Sequence, residues 1–336
     1  MKVLFTGGYG NISWWCTRRA LDLGHEVYLL NREQTTSTRR PIPEDAILIK
    51  ADYRNFEETK NAIEPYSFDV VCDFLCQGTE HAEIAYELFK NKTKQYILIS
   101  TESIFKRGSV ITERSEKYME DEASPYILGK LLSEKFFLEK YKKENFPLTI
   151  VRPGYTLDTI LPYSIGHNCY TVAKRYLDGK PILIAGSGNN RWTFTHSYDF
   201  AGLFVNLFGN SDAIGEDFNI MSNNVTTFND IMGIFAKTLI DKEPEFIHIP
   251  EEVCLTLSQF MPKDLMQQRL DDALFDISKI RAFAPDWESE YNPERLVKSV
   301  FAWLDEDARR KRFNKELDMK LENLTNDYLK TGVLND

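Results

Sequence analysis

Two side chains four residues apart carry the chemistry this chain could do. Tyr126 and Lys130, in Tyr126-Ile127-Leu128-Gly129-Lys130, fall on one face of any helix containing them. A phenol has an ordinary pKa of about 10 and is no base near neutrality. A nearby ammonium, or another positive group beside it, favours the phenolate and makes proton exchange possible. The spacing arises often by chance, so it gains weight only from its surroundings. One neighbour is the apolar stretch Tyr96-Ile97-Leu98-Ile99, which ends in Ser100-Thr101-Glu102-Ser103. Open parallel sheets place their sites at the C-terminal ends of strands. A hydroxyl there can hold a substrate oxygen while Tyr126 exchanges its proton.

The other neighbour is the start of the chain. Met1 to Phe5 reads as a strand, Thr6-Gly7-Gly8-Tyr9-Gly10-Asn11-Ile12-Ser13 follows, and a helical stretch from Trp14 to Leu23 ends at Gly24. A strand, a glycine-rich turn and a helix in that order bring backbone close to a pyrophosphate and aim helix N–H groups at it. Gly7, Gly10 and Ser13 fit G-x-x-G-x-x-G, and Gly8, Gly10 and Ser13 fit G-x-G-x-x-G, each with serine last. Trp14 and Trp15 are expected to pack the first helix.

These groups need a scaffold, and the first half supplies a repeating one. Strands are expected at His25–Asn31, Ala46–Lys50, Phe68–Phe74, Gln95–Ser100 and Leu148–Arg152, with helices at Phe56–Ile63, Thr79–Asn91 and Pro125–Lys143. Apolar strands separated by amphipathic helices indicate an α/β fold with a doubly wound parallel sheet covered on both faces. After Arg152-Pro153-Gly154 turn residues become frequent, as expected for a substrate-binding lobe. The division expected is 1–165 for a dinucleotide-binding domain and 166–336 for the lobe. Phe313, Leu317, Leu321, Leu324 and Tyr328 recur at helical spacing in that lobe, and the mixed charges between them suit a helix packed on its own protein.

With 336 residues, 43% of them hydrophobic, the chain can bury a sizeable core, and no run is long enough to span a bilayer. The N-terminal layout is not that of a signal peptide. Five cysteines (Cys16, Cys72, Cys76, Cys169, Cys254) with no metal-type spacing read as reduced thiols in a cytoplasmic protein, with no zinc site. A net charge of −10 disfavours broad nucleic-acid binding.

On Thr6 to Ile12, Asp52, Ser100 to Phe105, Tyr126 with Lys130, Arg152-Pro153-Gly154 and Arg191 to Asp199, the chain resembles the extended short-chain dehydrogenase/reductases, the NAD(P)-dependent epimerase/dehydratase family that works on nucleotide-sugars. The resemblance implies a Rossmann-like sheet with a smaller C-terminal lobe and a site in the cleft between them. It implies Thr101 as catalytic hydroxyl, Tyr126 as acid/base, and Lys130 as the residue that binds the nicotinamide ribose and tunes Tyr126. It places Gly7, Gly10, Asn11, Ile12, Asn31, Arg32, Asp52, Tyr53, Leu75, Cys76, Ser100 and Pro153 along the cofactor, with Asp52 near the adenine. Arg191, in the loop-to-strand segment Gly186 to Asp199, is expected to grip a diphosphate, which suits the planar fork of guanidinium donors. Arg269 is a second candidate. His196 reads as a hydrogen-bonded structural histidine, and no metal is implied.

Two departures shape the expectation. Sugar 4,6-dehydratases of the family carry Thr-Asp-Glu where this chain has Thr101-Glu102-Ser103, so the base for removing water is missing. The second strand ends in Asn31-Arg32, with Arg39 and Arg40 nearby, instead of in an acid that binds a ribose diol, so NADP is favoured over NAD. The reaction expected is oxidation of a sugar alcohol, with Tyr126 taking the hydroxyl proton and hydride moving to the nicotinamide. An epimerase returns the hydride on the other face; the first rival is a net NADP-dependent carbonyl reductase or dehydrogenase. The second rival is a non-catalytic scaffold or RNA-binding relative, since relatives of that kind, chloroplast stem-loop-binding proteins among them, also end the second strand this way. A homodimer is expected through the helices Thr79–Asn91 and Pro125–Lys143.

Overall fold

A computed structural model describes residues 1–32, 39–108, 110–241 and 243–330. Strands β1 (Lys2–Thr6), β2 (Glu26–Asn31), β3 (Ile47–Lys50), β4 (Phe68–Asp73), β5 (Thr93–Ile99) and β6 (Leu148–Pro153) form one parallel sheet, each within two residues of its expected start. The spatial order is β6, β5, β4, β1, β2, β3, so the direction of winding reverses between β1 and β4. That reversal opens a crevice at the C-terminal edge of the sheet, where such folds hold ligands.

Alternation along each strand fills both faces. Val3 and Phe5 join Cys16 and Ala20 of α1 (Ser13–Asp22) on one side, while Leu4 joins Ile63 of α2 (Phe56–Ile63), Phe89 of α3 (Gly78–Phe89) and Phe137 of α4 (Pro125–Glu144) on the other. Local signals set the helix ends. Asn55 caps α2 by accepting from the Glu58 N–H, Pro125 opens α4, and Asn145 closes α4 in the left-handed region at φ 54°.

The second half returns to this sheet. Asp217–Ile220 pairs parallel with β6 and becomes the edge, and Ser197–Phe204 packs beside α1, so sheet residues come from both sides of position 165. An ion pair between buried Arg152 and Asp217, 2.7 Å apart, ties this strand to β6. Pairing also spares β6 an open edge of unbonded backbone groups. The remaining chain forms two small sheets, Val225–Thr227 with Arg191–His196 and Tyr155–Leu157, and Phe246–Ile249 with Ile182–Ala185. Helix Lys315–Lys330 lays Leu317, Leu321, Leu324 and Tyr328 onto that lobe's core, and Arg175 clamps it through Asp318 and Glu322. Phe313 lies before the helix and is exposed.

The cysteines are free, and all but half-buried Cys169 are buried. Among the described residues there is no group of three or more metal-ligating side chains, and no helix is long and apolar enough to cross a membrane.

Candidate active site

The opening turn is shaped by its glycines and closed by a serine. Gly7 has φ 80°, a conformation that side-chain-bearing residues seldom adopt. A Cβ on Gly8 would stand 2.4 Å from Leu29 and 2.9 Å from both Phe5 and Thr17. Gly8 therefore serves the packing of turn against sheet. Ser13 donates to the Gly7 carbonyl at 3.0 Å and accepts from the Gly10 N–H at 2.9 Å. A glycine in its place could make neither bond. Asn11 reaches away from the turn to the Thr156 carbonyl and the Thr159 N–H, both at 2.9 Å, joining it to the chain after β6.

Beside this turn lies a crevice of about 380 Å³ lined by Gly7, Gly10, Asn11, Ile12, Asn31, Arg32, Asp52, Tyr53 and Leu75 among others. These are nine of the twelve residues expected along a cofactor. Cys76 is buried behind Leu75, and Ser100 and Pro153 are buried at the ends of β5 and β6. Asn31 accepts from the Tyr9 hydroxyl at 2.6 Å, and Arg32 stands 3.6 Å from the Asp52 carboxylate. Leu75 is an exposed apolar side chain at the rim, suited to a flat ring system. Burial pushes the Cys76 thiol up to about 12, so it is no nucleophile near neutrality.

Asp73, which sequence reasoning missed, holds the floor of the crevice. Its carboxylate accepts from Thr6 Oγ1 at 2.7 Å, Tyr96 Oη at 2.6 Å, Tyr53 Oη, and the backbone N–H groups of Leu75 and Cys76 at 2.9 and 3.0 Å. The one signal available in the sequence was an acid at the end of an apolar strand.

The candidate reactive groups lie at the C-terminal ends of β4 and β5. Lys130 is buried and donates to the carbonyls of Cys76 and Ile99, each at 2.8 Å, and burial lowers its pKa. Tyr126 lies one helical turn away on the same helix. Tyr126 is 44% exposed as a residue, yet burial around its hydroxyl raises the pKa above 10.0, the neighbouring Thr101 hydroxyl offsets part of that rise, and the Glu102 charge adds to it. The protein's own groups thus keep the phenol protonated at neutral pH. Gly129 sits between the pair because a Cβ there would meet Gln77 at 2.6 Å, and Gln77 Nε2 holds the Tyr126 carbonyl at 3.0 Å. The Ser100 hydroxyl is buried beside them with no hydrogen-bond partner among the described residues.

Across the cleft the two arginines differ. Arg191 is 60% exposed in its side chain and pairs with Asp272 through Nε and Nη2, at 3.0 and 2.6 Å. Arg269 is 9% exposed and lies among aromatic rings, with the centroids of Tyr155, Trp192, Tyr163 and Phe228 at 4.4 to 5.2 Å. Its Nη1 has no hydrogen-bond partner, and it pairs with no carboxylate among the described residues. His196 is buried, stacks on Tyr291 at 3.7 Å and accepts from the Tyr198 N–H; burial lowers its pKa to about 4. Asp158 beside it takes Arg40 at 2.8 and 2.6 Å and Trp15 Nε1 at 3.2 Å.

A parallel sheet with a glycine turn at its winding reversal defines an α/β Rossmann-like fold, and the candidate Thr–Tyr–Lys set lies at the next strand ends. The model of the NAD dependent epimerase/dehydratase family matches residues 3–220, and the chain belongs to that family, whose cofactor is a nicotinamide dinucleotide. It is 24% identical over 316 residues to the chloroplast stem-loop binding protein of 41 kDa b from Arabidopsis thaliana, covering 91% of this chain and 75% of that one. Its fold is similar to that of UDP-glucose 4-epimerase from Thermotoga maritima (TM-score 0.71, 16% identity, 91% of this chain and 99% of that one). It is also similar to that of the dTDP-glucose 4,6-dehydratase from Bacillus anthracis solved with NAD (TM-score 0.70, 17% identity, 92% and 98%).

Proposed function

We propose that the protein is an NAD(P)-dependent oxidoreductase or epimerase acting on a hydroxyl of a nucleotide-sugar. The observation that carries this reading is buried Lys130, one helical turn from Tyr126 and bonded to the Cys76 and Ile99 carbonyls at the strand end that presents Thr101. The residues fit a dinucleotide: the turn leaves room for a pyrophosphate, Leu75 and Tyr53 offer apolar surface, and Ser100 holds an unpartnered buried hydroxyl. Gly7, Gly10, Asn11 and Ile12 would hold the pyrophosphate, Asn31, Arg32 and Asp52 the adenosine, and Lys130 the nicotinamide ribose. Bound there, the nicotinamide supplies the hydride acceptor. Thr101 orients the substrate hydroxyl, and Tyr126 exchanges its proton once a positive neighbour stabilises the phenolate. Glu102 pairs with Arg107, and residue 103 is a serine, so this turn offers no free acid for a dehydratase step.

Arg269 supports the substrate class. A buried cation without a counter-ion is costly, and a diphosphate would supply the missing charge. Arg32, Arg39 and Arg54 rim the adenosine crevice and support NADP over NAD. The proposed homodimer uses α3 and α4, whose Ile84, Leu132 and Phe136 are half-buried; sedimentation tests it. Incubation of the purified protein with nucleotide-sugars tests the reaction. Interconversion without added cofactor identifies an epimerase, and stoichiometric reduced-nicotinamide absorbance identifies a net reductase or dehydrogenase. Failure of every sugar nucleotide, with nucleic-acid binding instead, would favour the reading suggested by the Arabidopsis relative's name.

A further inference from the structure

Between Thr101 and Arg269 lies a buried polar chain that the proposed reaction does not use. Glu102 follows Thr101 and is almost wholly enclosed, as is Arg107, five residues on. Arg107 Nη2 donates to the Glu102 carboxylate and to Gln268 Oε1 at 3.0 Å. Gln268 Nε2 returns a bond to the Ser103 carbonyl at 2.8 Å, and Ser103 Oγ donates to Glu102 at 3.2 Å. The Arg107 guanidinium also lies 5.8 Å from the Trp192 ring and 5.5 Å from that of Phe275. The turn that presents Thr101 is thus held by its own glutamate, an arginine, and the residue next to Arg269.

We propose that Glu102 and Arg107 are a positioning pair: their buried ion pair fixes the Thr101 turn against Tyr126 and balances charge beside the phenol. An ion pair removed from water gains little stability over an apolar pair of the same volume, so stability alone does not account for it. The charged and titratable groups around Tyr126 come from three elements. Glu102 lies on the turn, and Lys130 on α4 is directed to two backbone carbonyls. Asp264, on helix Lys263–Leu270, accepts from the Ser124 N–H at 2.7 Å. Glu102 is the one whose charge acts on the phenol, and Arg107 is its counter-ion. Removing the carboxylate removes the negative charge that acts on the phenol and favours the phenolate. Removing the guanidinium leaves a lone carboxylate and favours the phenol.

The inference rests on the proposed use of Tyr126, but its test reads ionisation and not turnover. Protein labelled with ¹³C at tyrosine Cζ is titrated by NMR, and Tyr126→Phe identifies the resonance. Glu102→Gln should lower the Tyr126 midpoint by about one pH unit, and Arg107→Gln should raise it or hold the phenol protonated throughout. The double variant should fall between Glu102→Gln and the parent. If Arg107→Gln does not fold, the single glutamate variant and the double variant still decide. Unchanged midpoints in folded Glu102→Gln, or shifts of one sign in all variants, would overturn the proposal. Turnover retained in Tyr126→Phe would remove the proposed reaction and leave this ordering intact.

Discussion

At the end of β4 the Asp73 carboxylate accepts five hydrogen bonds; across the cleft the Arg269 guanidinium sits among aromatic rings with one amino group unbonded and no paired carboxylate among the described residues. Both groups are buried, yet the chain satisfies one and not the other. On the crevice side, glycines and Ser13 fix the opening turn and Asp73 fixes the end of β4 by bonds within the protein, so the crevice has its shape before a ligand enters. Such preorganisation lowers the ordering cost of binding. Across the cleft the protein buries a cation that no carboxylate among the described residues answers, which is the charge the proposed diphosphate would balance. Shape is prepared on one side and electrostatic demand on the other.

The sharpest way to break this contrast is at the junction. Tyr126→Phe is expected to lower turnover about 10²- to 10⁴-fold while nicotinamide affinity, measured by fluorescence titration, stays unchanged. Loss of affinity instead would make the phenol part of the crevice. Arg269→Met should weaken nucleoside-diphosphate binding about 30-fold or more in calorimetry and leave the ligand-free Tm unchanged or higher. A lower Tm would mean that the cation already has its partner.

His196 adds a pH test within the substrate side. Its folded pKa of about 4 lies below the ordinary 6.5, so the unfolded chain binds more protons between those values. Stability should therefore fall as pH drops from 6.5 toward 4, by up to about 3 kcal/mol, and His196→Phe should remove that slope in urea denaturation. On the cofactor side, Gly8→Ala drives a methyl into Leu29, Phe5 and Thr17 and should cost about 1–3 kcal/mol in the same assay. The smallest effect belongs to Arg191→Met, whose exposed pair with Asp272 should contribute below about 1 kcal/mol. A large loss of diphosphate affinity there would shift the gripping role back to Arg191.

Much of the cofactor side was legible because its signals are local. The glycine turn, the apolar strands and the Tyr126–Lys130 spacing each lie within a few residues. The first six strands start within two residues of expectation for that reason. The edge strand Asp217–Ile220 was not legible: it is four residues long, and its partner β6 is more than sixty residues earlier. Asp73 looked like any strand-end acid until Tyr53 and Tyr96 converged on it. Local pattern favoured Arg191 over Arg269, but helix Lys263–Leu270 folds back so that Arg269 enters the ring cluster of Tyr155, Trp192 and Phe228, while Arg191 turns out to Asp272.

Residue types and short spacings alone determined that this chain winds a parallel sheet, opens it with a glycine turn and carries a phenol one helical turn from an amine. Only the tertiary structure decided which charges are buried, which are paired and which lack a counter-ion. Periodicity and turn chemistry act over a few residues along the chain. The field around a buried group is set by neighbours that are distant in sequence and adjacent only once the chain has packed.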